Sequence, residues 1–165
     1  ATLTITQDLT DWCHEAVITT FATLLGETVV MHSVRFENDL RSAQKYGVSG
    51  VIGFIQEGLD GTLALCFDDE LLFRIMTKFY GEETRTVNDN LVGGVSELTN
   101  VVFGMIKEKC NERGFNFHMC LPVVIIGSNH SMFSAISNNK AVIEYRIGSD
   151  SFWLEVSTMA QIRKA

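Results

Sequence analysis

The sequence predicts an α+β domain in which two long helices cover one face of a mostly antiparallel sheet. Two segments, QDLTDWCHEAVITTFATLL and DNLVGGVSELTNVVFGMIKEK, carry apolar residues at helical spacing. Several shorter apolar segments between and after them are joined by tight turns, which pairs neighbouring strands antiparallel. At 165 residues, 46% of them hydrophobic, the chain can bury one core, so residues 1–165 form a single domain.

The first helix is predicted over Gln7 to Leu25, with Thr6 as N-cap and Gly26 as its stop. TVVMHSVRF (28–36) alternates as a strand does. After the polar stretch ENDLRSAQKYG come VSGVIGFIQ and TLALCF, with Asp60-Gly61 read as the hairpin turn between them. Asp68 or Asp69 opens a short helix, ELLFRIMTKFY, which Gly81 closes. Asn88, Asp89 or Asn90 caps the second long helix. FHMCLPVVIIG, MFSAI, KAVIEYRI and FWLEVST then read as strands, separated in part by SNN and GSD turns. Pro122 cannot donate to a ladder and marks an edge or a bulge.

Composition excludes several classes. A net charge of −7 with no Lys or Arg cluster disfavours nucleic acid and anionic membrane surfaces. No apolar run is long enough to span a bilayer, and ATLTITQDLT lacks the basic start and apolar stretch of a signal peptide, so a cytoplasmic protein is expected. Cys13, Cys66, Cys110 and Cys120 fit no metal or redox spacing and read as reduced core thiols. His118 with Cys120, and Cys13 with His14, lack a third ligand nearby, which disfavours zinc. GVSGVIG (47–53) is not a phosphate-binding fingerprint; its glycines read as positions in a crowded strand. Phe73, Phe79 and Tyr80 read as core, and the six methionines as packing.

An internal duplication is visible at the helices. HEAVITTFATL (14–24) lies over SELTNVVFGMI (96–106) without a gap, matching Glu15 to Glu97, Phe21 to Phe103 and Ala22 to Gly104. Ile18, however, stands where the second copy has Asn100.

On a wheel advancing roughly 100° per residue, Leu91, Val95, Leu98, Val102 and Met105 gather on one side of the second long helix. Gly93, Glu97, Asn100, Gly104, Lys107 and Asn111 run along the other, flanked by Ser96 and Phe103. Each helical glycine costs about 1 kcal/mol relative to alanine, and glycines near one exposed face let another backbone come close. Glu97 and Asn100 are therefore the candidate chemical pair, with Gly93, Ser96, Phe103, Gly104 and Lys107 as candidate partner-binding residues.

DNLVGGVSELTNVVFGMIKEK followed by MCLPVVIIG resembles the core signature of the CheC/CheX/FliY phosphatases, whose motif is a Glu, two residues, an Asn, and a proline about twenty residues on. Glu97, Asn100 and Pro122 match it, and GVIGF, the G-x-L-A-L-x-F strand and ELLFRIMTKFYG agree in outline. One intact pair, with Ile18 in the other helix, is similar to the CheX branch. The resemblance implies a CheC-like fold and removal of the phosphoryl group from the aspartate of a CheY-like response regulator. It implies that Asn100 orients the attacking water while Glu97 pairs with the regulator's lysine. It implies no cofactor of its own, with a divalent metal such as magnesium held by the regulator, and a homodimer formed through sheet edges. The long apolar strands KAVIEYRI and FWLEVST are the expected edge. One position departs from the pattern: many members carry Asp or Ser four residues before the Glu, where this chain has Gly93. The alternative is a non-catalytic response-regulator or flagellar-switch binding module of the same fold.

Overall fold

Helix caps fix where the regular elements begin and end in the computed structural model, which describes residues 7–36, 43–133 and 139–160. The first helix, α1 (Gln7–Leu25), stops at Gly26, whose left-handed φ of +63° lets its N–H bond back to the Ala22 carbonyl. The predicted cap Thr6 lies outside the described residues. β1 (Val30–Arg35) follows, then the hairpin of β2 (Tyr46–Gln56) and β3 (Leu59–Phe67). Asp68 accepts from the Leu71 N–H to open α2 (Asp69–Tyr80), and Gly81 closes it. Asn88 does the same for Leu91 at the start of α3 (Asp89–Glu112). β4 (His118–Met119), β5 (Val123–His130), β6 (Asn139–Ile147) and β7 (Asp150–Ala160) complete the chain.

The fold class is α+β, as the sequence predicts. All strand pairs are antiparallel, in the order β1-β6-β7-β3-β2-β4, with β5 also pairing β2. β4 and β5 are one outer strand broken by a bulge: Phe54 faces Met119 while Val51 faces Val123, leaving an extra residue in the stretch that contains Pro122.

Four expectations need correction. The β2–β3 turn is Glu57-Gly58, not Asp60-Gly61, because Gln56 pairs with Leu59 and Gly58 supplies the positive φ of +86°. Gly61 lies inside β3, where the Phe54 ring fills the space a Cβ would take. MFSAI forms no described strand: Met132 and Phe133 lie outside one, and residues 134–136 are not among those described. β6 and β7 are not edges, since β6 sits between β1 and β7, and β7 between β6 and β3. Their apolar character serves a sheet interior instead. Finally, Cys13, Cys66 and Cys110 are buried but Cys120, in the bulge, is exposed. Burial pushes the Cys110 thiol up to about 11 and holds those of Cys13 and Cys66 well above the usual thiol value, so the three core thiols stay protonated.

The helices share one face of the sheet and enclose the main core, built from Phe21, Phe67, Phe103, Phe152, Leu154 and their neighbours. α1 lies antiparallel to α3: Trp12 stacks on the Arg113 guanidinium, and the Thr20 hydroxyl meets the Met105 sulfur 3.6 Å away. On the opposite face, Lys140 and Glu155 form a buried ion pair 2.6 Å apart, and the Tyr46 hydroxyl donates to the same carboxylate. Burial, reinforced by Cys66 and then Glu155, holds the Tyr46 pKa far above the usual phenol value, so it remains a donor.

What positions α3 is its close approach to β2. A Cβ at Gly50 would stand 2.1 Å from the Thr99 hydroxyl and 3.0 Å from a Val95 methyl. Thr99 turns that hydroxyl back onto the Val95 carbonyl, 2.7 Å away, and so satisfies it inside the core. Gly50→Ala is therefore expected to force α3 off the sheet and lower stability by roughly 1–3 kcal/mol. Urea unfolding checks this; an unchanged midpoint would mean the gap can open without cost.

Candidate active site

α3 divides lengthwise into a load-bearing side and a free side. Leu91, Val95, Leu98, Thr99, Val102, Phe103, Ile106 and Cys110 are buried against β2 and α1. Gly93, Glu97, Asn100 and Gly104 are exposed, and Ser96 and Lys107 half-buried beside them. Glu97 and Asn100 stand on adjacent turns of that free face, a spacing that brings Cβ atoms to about 5–6 Å. Among the described residues neither side chain has a hydrogen bond or ion pair, so both are available to another molecule.

Phe103 is the one predicted partner-binding residue that the structure removes from the surface. It is 2% exposed, with its ring stacked on Phe54 at 5.1 Å between centroids. The wheel sets it beside the polar stripe, but α1 and β2 close over that flank and draw the ring inward. Gly104 has no neighbour near its Cβ position, as expected of an open surface. Of the other two glycines of this helix, Gly94 has an internal explanation and Gly93 does not. A Cβ at Gly94 would meet the Met76 sulfur at 2.3 Å, and at Gly93 the nearest atom is the Tyr80 hydroxyl, 3.7 Å away. Thus Gly94 makes room for α2 rather than for a partner's backbone. Tyr80 itself is 37% exposed, not core, whereas Phe73 and Phe79 pack on the core from its margin.

Pro122 sits in the bulge of the outer strand, half-buried. In the first helix Glu15 is exposed and Ile18 packs against the core, so α1 offers one acidic group and no amide. Among the described residues no three His, Cys, Asp or Glu side chains gather where they could hold a metal ion. No described helix is long and apolar enough to cross a membrane. A surface cleft lined by Lys45, Tyr46, Asp68, Asp69, Ser128 and Asn129 lies at the N-terminal end of α2 and contains none of the predicted residues.

The match to known families now decides what this surface belongs to. The family described as chemotaxis phosphatase CheX matches residues 48–146, more than half of the chain and all of the Glu97-Asn100 helix. The chain belongs to the CheX family. A CheC-like superfamily protein from Shewanella sp. PV-4 shares the fold with a TM-score of 0.86, at 23% identity over 94% of this chain and 100% of that one. A chemotaxis protein CheX from Vibrio vulnificus follows at TM-score 0.84 and 23% identity, covering 92% and 99% of the two chains. A CheX–CheY–BeF3–Mg2+ complex from Borrelia burgdorferi aligns at TM-score 0.74 and 17% identity, over 94% and 99%. No curated protein matches the chain. At these identities the structural likenesses establish a shared CheX fold and nothing finer.

Because the free face carries no internal bonds, removing its groups should leave this CheX-family fold intact. Glu97→Gln and Asn100→Ala are expected to change unfolding free energy by less than about 0.5 kcal/mol. Phe103→Ala, one turn further along the same helix, should cost roughly 3–5 kcal/mol. Equal losses in all three by urea titration would contradict the division of the helix.

Proposed function

We propose that the protein removes the phosphoryl group from the phosphorylated aspartate of a CheY-like response regulator, inserting Glu97 and Asn100 from α3. The observation that carries this reading is the exposed, unpartnered Glu97–Asn100 pair on a helix of a CheX-family fold. The Borrelia CheX found with CheY, BeF3 and Mg2+ supports a receiver domain as the partner.

The chemistry asks little of this chain. A divalent metal held by the receiver would offset the charge of the phosphoryl oxygens. The Asn100 carbonyl accepts a hydrogen bond from water, and its NH2 group donates to a neighbouring acceptor. A water so held attacks phosphorus in line with the aspartyl oxygen. The new P–O bond forms as the bond to the aspartyl oxygen breaks; inorganic phosphate leaves and the aspartate keeps the electron pair. An amide suits the position because it carries no charge; an aspartate would repel the phosphoryl oxygens. Glu97, one turn earlier, pairs with a lysine of the receiver and fixes the register of docking. Both contributions are positional, which is where much of the acceleration in such transfers arises.

Asn100→Ala should abolish phosphate release from a phosphorylated receiver while binding persists. Unchanged release by Asn100→Ala ends the proposal, and binding by the wild type without any release favours the non-catalytic module. Glu97→Lys should weaken docking at least about tenfold, the loss of a charge-assisted bond worth roughly 1.5–3 kcal/mol. Titration calorimetry against the receiver measures it.

We further propose a homodimer through the outer edge of β5, since β6 and β7 are interior. Leu121 and Val123 there are 87% and 61% exposed, beside exposed Ile126 and Ile55. An apolar edge of this kind invites pairing with a second strand. Light scattering should give a two-chain mass for the wild type and a one-chain mass for Val123→Lys; a wild-type monomer removes the dimer.

A further inference from the structure

Tyr80 ends α2, yet its ring lies over the first turns of α3. Its Cε2 is 3.3 Å from the Cβ position of Gly94 and its hydroxyl 3.7 Å from that of Gly93. Met76, one turn earlier on α2, presses its sulfur into the same notch at Gly94, and Phe79 meets the Tyr80 ring edge-on at 4.9 Å. The ring thus meets the α3 glycines on one side and Phe79 on another. Among the described residues its hydroxyl has no hydrogen-bond partner, and the residue is 37% exposed.

The location of that hydroxyl matters. Gly93 is one turn before Glu97 on the free stripe. Helical side chains lean toward the N-terminus, so the Glu97 carboxylate extends over the turn that Gly93 occupies. A phenol beside Gly93 therefore joins the surface that Glu97 and Asn100 present, although it comes from a different helix. α3 itself offers no side chain at that spot.

We propose that Tyr80 is a specificity-determining contact for the receiver domain, its hydroxyl supplying from α2 the polar group that Gly93 cannot. This rests on the proposed function above. A phenol can donate as well as accept, so it would pair with an acceptor on the receiver, a backbone carbonyl or carboxylate flanking the phosphorylated aspartate. Because the ring packs on Phe79 and the α3 glycines, little side-chain freedom is lost on docking.

The test compares wild type, Asn100→Ala, Tyr80→Phe and the double variant Tyr80→Phe/Gly93→Ser against a CheY-type receiver phosphorylated with acetyl phosphate. Tyr80→Phe keeps the ring over the glycines and removes only the hydroxyl. It should raise KM roughly three- to tenfold, the loss of one hydrogen bond, with kcat within twofold and the melting midpoint unchanged. Gly93→Ser in that background should restore part of the loss, since a Cβ fits at 3.7 Å from the hydroxyl position and carries a new hydroxyl into the same part of the surface. A Tyr80→Phe KM equal to wild type overturns the inference alone, as does a lowered melting midpoint with unchanged KM. Wild type no more active than Asn100→Ala overturns the proposed function and this inference with it.

Discussion

The contact between Thr99 and the bare backbone of Gly50 governs the rest of the molecule. It lets α3 lie directly on β2, closer than any side chain on the strand would allow. Everything on the far side of the helix inherits its orientation from that contact. Phe103, four residues on, stacks on Phe54, four residues along β2, so the helix is pinned at two points along one strand. At its N-terminal end the fit of Met76 against Gly94 repeats the device between α2 and α3. A helix gripped at these points cannot roll, so the Cα–Cβ directions of Glu97 and Asn100 are fixed although their side chains make no internal contacts. Docking on a partner must then select their rotamers, while the rigid helix supplies the placement.

The duplication seen in the helices extends to the sheet. With β5 taken as the outer strand, the order β1-β6-β7-β3-β2-β5 reads the same from either end once the halves are exchanged. Each half donates a long hairpin, and β3 and β7 meet at the centre. Phe21 and Phe103 are both buried, as their alignment suggests. The halves part company at Ile18 and Asn100. Ile18 packs on the core, so the first helix uses for cohesion the position that the second leaves free for a polar group.

Local chemistry was legible because it is local. The Gly26 and Gly81 stops depend on neighbouring residues and could be read directly, and the caps Asp68 and Asn88 were each among the two or three candidates the sequence offered. Exposure of Glu97 and Asn100 followed from helical spacing alone. What failed depended on partners brought together only by strand register and packing. Asp60-Gly61 looks like a turn until the Phe54 ring is known to lie on Gly61. KAVIEYRI looks like an edge until β1 is seen beside it. Phe103 sits at the border of two faces, and only the position of α1 decides which claims it. Lys140 and Glu155 gave no hint of pairing, since neither spacing nor pattern links residues on adjacent strands until the register is known.

The separation of load and chemistry within α3 explains why such a site can remain specific with few residues. Groups that stabilise the fold are subject to packing, so their identities are restricted by volume and shape. Glu97 and Asn100 satisfy nothing internal, and the fold would tolerate many side chains in their place. An amide and a carboxylate at those positions are therefore not explained by folding. Tyr80 stands between the two cases: its ring packs over Gly94, whereas its hydroxyl adds nothing to that packing, since phenylalanine would cover the glycine as well. Under the proposed function, the oxygen atom at that position, like the amide of Asn100, would meet the receiver rather than another part of this chain.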